Sequence, residues 1–274
     1  MTSKDSQDRT VTWFDEQPDD SQLSAEARDL LLKYSGIPAD KITGHVVNLR
    51  NEAWEIFPYP CIGQFRFLDL SLKHRKEYPE ILDRLAKGQR ILDMACCFGQ
   101  EIRQLVADGA PSENIYGCDL RKEYVELGYK LFCDRGRLQS RFVTADIFEE
   151  PSPLTDLKGT FDMIYAGSFF HLFDYEDQVK VSKAVAELLR PVEGSFIVGR
   201  QIGALKAAAH DHKTNPTGKM FRHDPQSLQD MWTGIGDDLG VSFSVNSSLH
   251  ELSRDHLRFH NEDTRRIQFL IRRE

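Results

Sequence analysis

A chain of 274 residues, 40% hydrophobic and 28% charged, can hold one large α/β domain and bury a sizeable core. Its formal charge of -8 leaves it without the basic footprint that nucleic-acid backbones require, and no apolar run reaches the roughly 18 to 20 residues of a membrane span. Cysteines at 61, 96, 97, 118 and 133 are odd in number and lack CxxC spacing, which argues against a disulfide framework and a structural zinc site.

MTSKDSQDRT at the start has no apolar signal core, so the expected location is the cytoplasm, and the Asn246-Ser247-Ser248 sequon is taken as chance. Residues 1–22 are polar, acidic and unpatterned, which predicts a loosely ordered arm able to order against a partner. From Ser24 the apolar spacing is helical through LSAEARDLLLKYSG, with Gly36 and Pro38 as the stop. An irregular, helix-leaning stretch runs to about Phe57, Pro58 and Pro60 interrupt it, and another helix is expected around Tyr78 to Lys87. This front part, residues 1–87, is expected to form an arm and helical cap and not a separate domain.

After Gly88 short apolar runs alternate with amphipathic stretches, the pattern of a parallel sheet with helical crossovers. Strands are expected at 90–95, 114–120, 140–147, 161–170 and 194–202. The clearest helix is 175–190, capped by Asp174, with Glu176 and Asp177 in its first turn and Val181, Val185, Leu188 and Leu189 on one face. Residues 204–236 form an insertion with a polar stretch, a turn at Asn215-Pro216-Thr217 and a short helix near Pro225 to Trp232. Two last runs, VSFSVNSSL and RRIQFLI, fit a closing hairpin, with Arg265, Arg266, Arg272 and Arg273 on exposed faces. The expected fold is therefore α/β, a Rossmann-like seven-stranded sheet over residues 88–274 with an N-terminal helical cap.

ILDMACCFG at 91–99 ends the first strand and opens a helix, the place where a doubly wound sheet lets backbone approach a ligand. The usual pattern for S-adenosylmethionine is an acid followed by three glycines at alternate positions. Here Asp93, Ala95, Cys97 and Gly99 occupy those places, so two extra side chains must be accommodated. Asp119 ends the second strand, where a carboxylate accepts from both ribose hydroxyls; the plainer alternative makes it the N-cap of the next helix. Asp146 ends the third, where it suits the adenine amino group with Ile147 packed on the ring; the alternative is a turn-forming aspartate. No G-x-G-x-x-G is present to seat a pyrophosphate, which separates this pattern from nicotinamide binders. At the fourth strand Phe169, Phe170 and Phe173 form an aromatic wall, where core packing is the alternative, and His171 is a candidate base or substrate donor, with a structural histidine as the alternative. No NPPY-type tetrapeptide stands there, which counts against amide or nucleobase N-methylation.

On these residues the chain resembles a fungal family of small-molecule methyltransferases of meroterpenoid biosynthesis. The likeness runs through PYPCIGQFRFLDL (58–70), LDMACCFGQEIRQLV (92–106), DGAPSENIYGCDLR (108–121), TADIF (144–148), FFHLF (169–173), GRQIG (199–203) and FRHD (221–224). The resemblance implies that Asp93, Gly99, Asp119, Leu120, Asp146 and Ile147 bind S-adenosylmethionine, to which Ala95, Cys97 and Ala166 are added by position, without a metal. It also implies a homodimer and carboxyl O-methylation of a farnesylated aromatic acid. Such a carboxylate is already ionised at neutral pH and needs alignment more than a base. Arg66, Arg200 and Arg222 are candidate carboxylate clamps, with exposed or salt-bridged arginines as the alternative, and Tyr59, Phe65, Phe67 and Trp232 a candidate apolar wall for a prenyl chain, with core packing as the alternative. Phenol or hydroxyl O-methylation with His171 as base, a nicotinamide-dependent reductase and a non-catalytic cofactor-binding scaffold stand as rivals.

Overall fold

Helices and strands form where capping and periodicity meet. In the computed structural model, residues 8–211, 218–252 and 262–274 are described. The first elements are helices α1 Ala25–Asp29, continued by a π-helical turn at Leu30–Tyr34, α2 Ile42–Ile56, α3 Pro60–Gly63 and α4 Tyr78–Ala86. Strand β1 Ile91–Met94, α5 Gln100–Ala107, β2 Ile115–Asp119, α6 Lys122–Phe132 and β3 Arg141–Thr144 follow. Next come β4 Met163–Gly167, α7 Tyr175–Leu188, β5 Phe196–Ala204, β6 Ala208–Asp211 and β7 Lys219–Arg222. The described chain ends with α8 Pro225–Leu239, β8 Phe243–His250 and β9 Thr264–Arg273.

Seven strands follow the order β3-β2-β1-β4-β5-β9-β8. Pairs β2–β3, β1–β4 and β4–β5 run parallel, whereas β9 runs antiparallel to both β5 and β8. The late antiparallel pair is the closing hairpin expected from the sequence. By packing, the chain divides into two units, Met1–Ala86 with Cys96–Thr144, and Lys87–Ala95 with Ala145–Glu274.

In the first unit one apolar core joins Leu31, Val46, Ala53, Trp54, Phe65 and Phe67 to Phe98, Tyr124, Leu127 and Phe132. Ser24 caps α1 by accepting the Ala27 N–H, as its residue type predicts. The expectation of a loosely ordered arm is corrected for residues 8–22. Phe14 is buried, and the buried Arg50 donates to the carbonyls of Asp15, Glu16 and Gly63 while stacking 4.0 Å from the Phe14 ring and 4.5 Å from the Phe65 ring. α2 is a regular fifteen-residue helix, not an irregular stretch.

In the second unit the core is built on Ile91, Met163, Ile164, Val185, Phe196, Val198 and Ile271. Asp174 caps α7 by accepting the Asp177 N–H. α8 continues beyond Trp232 to Leu239, opened by a capping box of Asp224 and Ser227 and closed at Gly240 with φ +66°. The polar stretch after Gly203 holds a further hairpin, β6 with β7, whereas the expected turn at Asn215-Pro216-Thr217 lies outside the described residues. Arg265, Arg266, Arg272 and Arg273 are half-buried, not exposed: Arg265 Nε lies 3.1 Å from Glu251 Oε1, and Arg272 donates to the Gly194 carbonyl at 3.2 Å.

Candidate active site

Between β1 and α5 the backbone takes positive φ at every second residue, +57° at Ala95, +53° at Cys97 and +66° at Gly99. These are the three places where the usual pattern has glycine. Ala95 and Cys97 therefore keep the left-handed shape that glycine would adopt freely, at roughly 1–2 kcal/mol each for the Cβ. At Gly99 no side chain fits, since a Cβ would stand 2.5 Å from Arg103 Nη1. That guanidinium cannot yield easily. It is fully buried and bonded to both oxygens of the equally buried Asp134, at 2.9 and 3.2 Å. Gly117 on β2 is required for the same kind of reason, because a Cβ there would meet the Cys96 sulfur at 2.9 Å.

Asp119 closes β2 with its carboxylate held from two sides: Oδ2 accepts the Cys97 N–H at 2.8 Å and Oδ1 accepts the Arg121 N–H at 2.9 Å. Each oxygen keeps a lone pair for a further donor. Burial pushes its pKa up, opposed by those two N–H groups and by the Arg121 charge. The alternative role as helix cap is corrected, because the N-cap of α6 is Arg121. Leu120, next in sequence, is 54% exposed, an uncovered apolar side chain beside the carboxylate.

Tyr59 belongs to the same neighbourhood. Its ring lies 4.2 Å from that of Phe57, and the Arg121 guanidinium sits 4.5 Å from Phe57 and 5.7 Å from Tyr59. Burial raises the Tyr59 pKa. Sequence reasoning grouped Tyr59 with the acceptor, and the structure brings it to the Asp119 loop. Phe65 is fully buried in the first unit's core, and Arg66 donates from Nε to Gln64 Oε1 at 2.9 Å.

In the second unit Asp93 is buried on β1, in register with Tyr165, and Ala166 is buried on β4, in register with Gly199. β3 stops at Thr144, so Asp146 does not end the strand as expected. It turns the chain instead, accepting the Phe148 N–H at 2.9 Å through Oδ1, and Ile147 is half-buried. Phe169 lies 5.4 Å from Phe170 and 5.5 Å from Phe173, so the three form a wall. Phe170 packs 6.4 Å from Trp232 and 6.0 Å from Phe269, and the neighbouring His171 is buried. Arg200 is half-buried on β5; Arg222 is buried and donates to Thr264 Oγ1 at 2.9 Å, with its pKa lowered by burial.

Among the buried polar residues that the sequence did not reveal are two of the second unit. Gln201 on β5 and His223 after β7 sit inside apolar surroundings that gave no signal of their own. His223 Nδ1 lies 2.9 Å from Ser227 Oγ, and burial pushes its pKa down to about 4. All five cysteines are free thiols, and no group of three metal-ligating side chains occurs among the described residues. Among those residues no helix is long and apolar enough to cross a membrane.

Residues 13–68 match the meroterpenoid methyltransferase N-terminal domain family, and residues 91–192 match a methyltransferase domain family. The chain is 44% identical to methyltransferase adrK of Penicillium roqueforti, over 83% of this chain and 82% of that one. It is 40% identical to O-methyltransferase atr3 of Stereocaulon alpinum, over 96% of this chain and 76% of that one. It is 43% identical to the Asnovolin E/Chermesin D methyltransferase nvfJ of Aspergillus novofumigatus, over 82% and 81%. Its fold is similar to that of the 1,6-didemethyltoxoflavin-N1-methyltransferase of Burkholderia thailandensis, solved with S-adenosylhomocysteine, at TM-score 0.51 and 13% identity over 76% of this chain and 80% of that one. Sheet order, first turn and domain match together define an S-adenosylmethionine-dependent methyltransferase of class I. Within that class, the chain belongs to the fungal meroterpenoid methyltransferase family.

Proposed function

We propose that the enzyme methylates the carboxylate of a farnesylated aromatic acid. The observation that carries this reading is the aromatic wall of Phe169, Phe170 and Phe173 with the buried Trp232 beside it, an apolar surface suited to a prenyl chain. Arg222, buried among the described residues, is a candidate clamp because guanidinium geometry matches two carboxylate oxygens. Arg200 and Arg66 remain candidates for the same role. Phe170, Trp232 and His171 are assigned to the acceptor.

S-adenosylmethionine, when bound, supplies a methyl group on a sulfonium. Asp119 fits it, because each carboxylate oxygen retains an accepting direction for one ribose hydroxyl. Leu120 and Ile147 would cover adenine, Asp146 accept from its amino group, and the turn at Asp93, Ala95, Cys97 and Gly99 admit the amino-acid end beside Ala166. Apolar walls exclude water while the carboxylate, ionised without help, is held in line. The free thiols agree with a reducing cytoplasm, and the family likeness suggests a homodimer.

Incubation with S-adenosylmethionine and a panel of farnesylated acids, their methyl esters and farnesylated phenols, followed by mass spectrometry, tests the reading. Acids gain one methyl and esters none; methylation of phenols alone would sink it. Arg222→Met is expected to lower kcat/KM for the acid by roughly 10- to 150-fold, the value of one or more charged hydrogen bonds. His171→Ala separates the rival phenol chemistry, which would lose kcat with a neutral-pH dependence, from carboxylate chemistry, which would not.

A further inference from the structure

Gln201 lies on β5 between two glycines that share its face of the strand, Gly199 and Gly203. Opposite them on β9 stand Phe269, in register with Gly199, and Ile267, in register with Gln201. Arg265, in register with Gly203, shares this face and is engaged by Glu251 at 3.1 Å; the other four neighbours carry no polar side chain. Gln201 is only 2% exposed, and both its amide nitrogen and its amide oxygen are buried without a hydrogen-bond partner among the described residues. Buried amides in native proteins are almost always paired, so a pair of orphaned atoms points to a ligand or ordered water that completes them.

The surroundings say which. Phe269, on the same face, packs 6.0 Å from Phe170, which packs 6.4 Å from Trp232. Trp232 is also fully buried, and its indole N–H is likewise without a partner. An apolar wall with an amide and an indole N–H as its unanswered polar groups suits a mostly hydrocarbon molecule ending in an oxygen that accepts hydrogen bonds.

We infer that Gln201 is a positioning residue for the methyl acceptor, its amide N–H donating to a carbonyl or carboxylate oxygen, with the Trp232 N–H as the second donor. This deepens the proposed function and rests on the acceptor lying against the Phe170 and Trp232 wall. It assigns acceptor orientation to a strand residue in addition to the arginines.

Gln201→Leu, nearly equal in volume, tests it in two arms. Removing an amide that has no hydrogen-bond partner among the described residues is expected to leave the melting temperature of the unliganded protein unchanged or raised; a fall of several degrees shows that the amide holds the fold together and overturns the inference. With whichever panel compound the wild type methylates, the acceptor KM is expected to rise roughly 10- to 100-fold. The KM for S-adenosylmethionine and its product's calorimetric affinity should change less than about threefold. An unchanged acceptor KM also overturns it. Trp232→Phe, which keeps the wall and removes the N–H, should shift KM in the same direction. Wild-type transfer to phenols and not acids defeats the carboxylate reading alone, and the Gln201 outcome is then read on the phenol.

Discussion

Asp119 combines two structural hydrogen bonds with capacity for more. Its two oxygens already hold the Cys97 and Arg121 N–H groups, so they fix the first turn and the start of α6 while offering two further lone pairs. Asp119→Ala is expected to weaken S-adenosylhomocysteine binding by about 10- to 10⁴-fold, one or two charge-assisted hydrogen bonds, with the far-ultraviolet spectrum unchanged. Unchanged affinity in calorimetry would remove Asp119 from the cofactor site. The acid was legible in the sequence because it ends an apolar run. What was not legible was the backbone of Ala95 and Cys97: a Cβ normally argues against positive φ, and only the alternate spacing with Gly99 hinted that the turn keeps its shape. Gln201 gave no signal, since a polar residue in a largely apolar strand looks the same whether it is paired or orphaned, and His223 stands in the polar run RHD, where burial is not expected.

α8 and the residues before it form one capped element. Ser227 and Asp224 exchange hydrogen bonds in the capping box, and the fully buried His223 leans on Ser227. Burial holds the folded His223 at about 4, against an ordinary 6.5. Between those values the unfolded chain takes the proton and the folded chain does not, so the stabilisation is complete above pH 6.5 and drains away as pH falls through 4. Denaturant midpoints are expected to drop by up to about 3 kcal/mol equivalents over this window, and His223→Gln should flatten the slope. A wild-type slope retained in the variant would assign the titration elsewhere. Elements with clear periodicity, such as α7 and β1, β2, β4 and β5, were readable. α8 looked shorter than it is because Gly234 and Gly236 read as breakers, although Met231 and Ile235 continue the buried face. β6 and β7 were missed because AAHD and KMFR lack alternation.

At the scale of the whole chain, the relevant discrimination is between two adenosine cofactors. Both would use an acid such as Asp119, and a net charge of -8 favours the singly positive S-adenosylmethionine over the anionic NAD only through a general, salt-screened attraction. The difference lies at the first turn. A pyrophosphate needs glycines that open a helix N-terminus to two phosphates, whereas here Ala95 and Cys97 keep side chains and Gly99 is closed in by Arg103. A ligand that binds only the folded state stabilises it by about 2.7 kcal/mol at a hundred times its Kd. With unfolding entropy near 2.1 cal/mol/K per residue, that amounts to a rise of roughly 5 °C in Tm for a protein of this size. S-adenosylhomocysteine is expected to give that rise in differential scanning fluorimetry, and NAD at equal concentration none. A shift with NAD would mean that the turn admits phosphates despite its side chains.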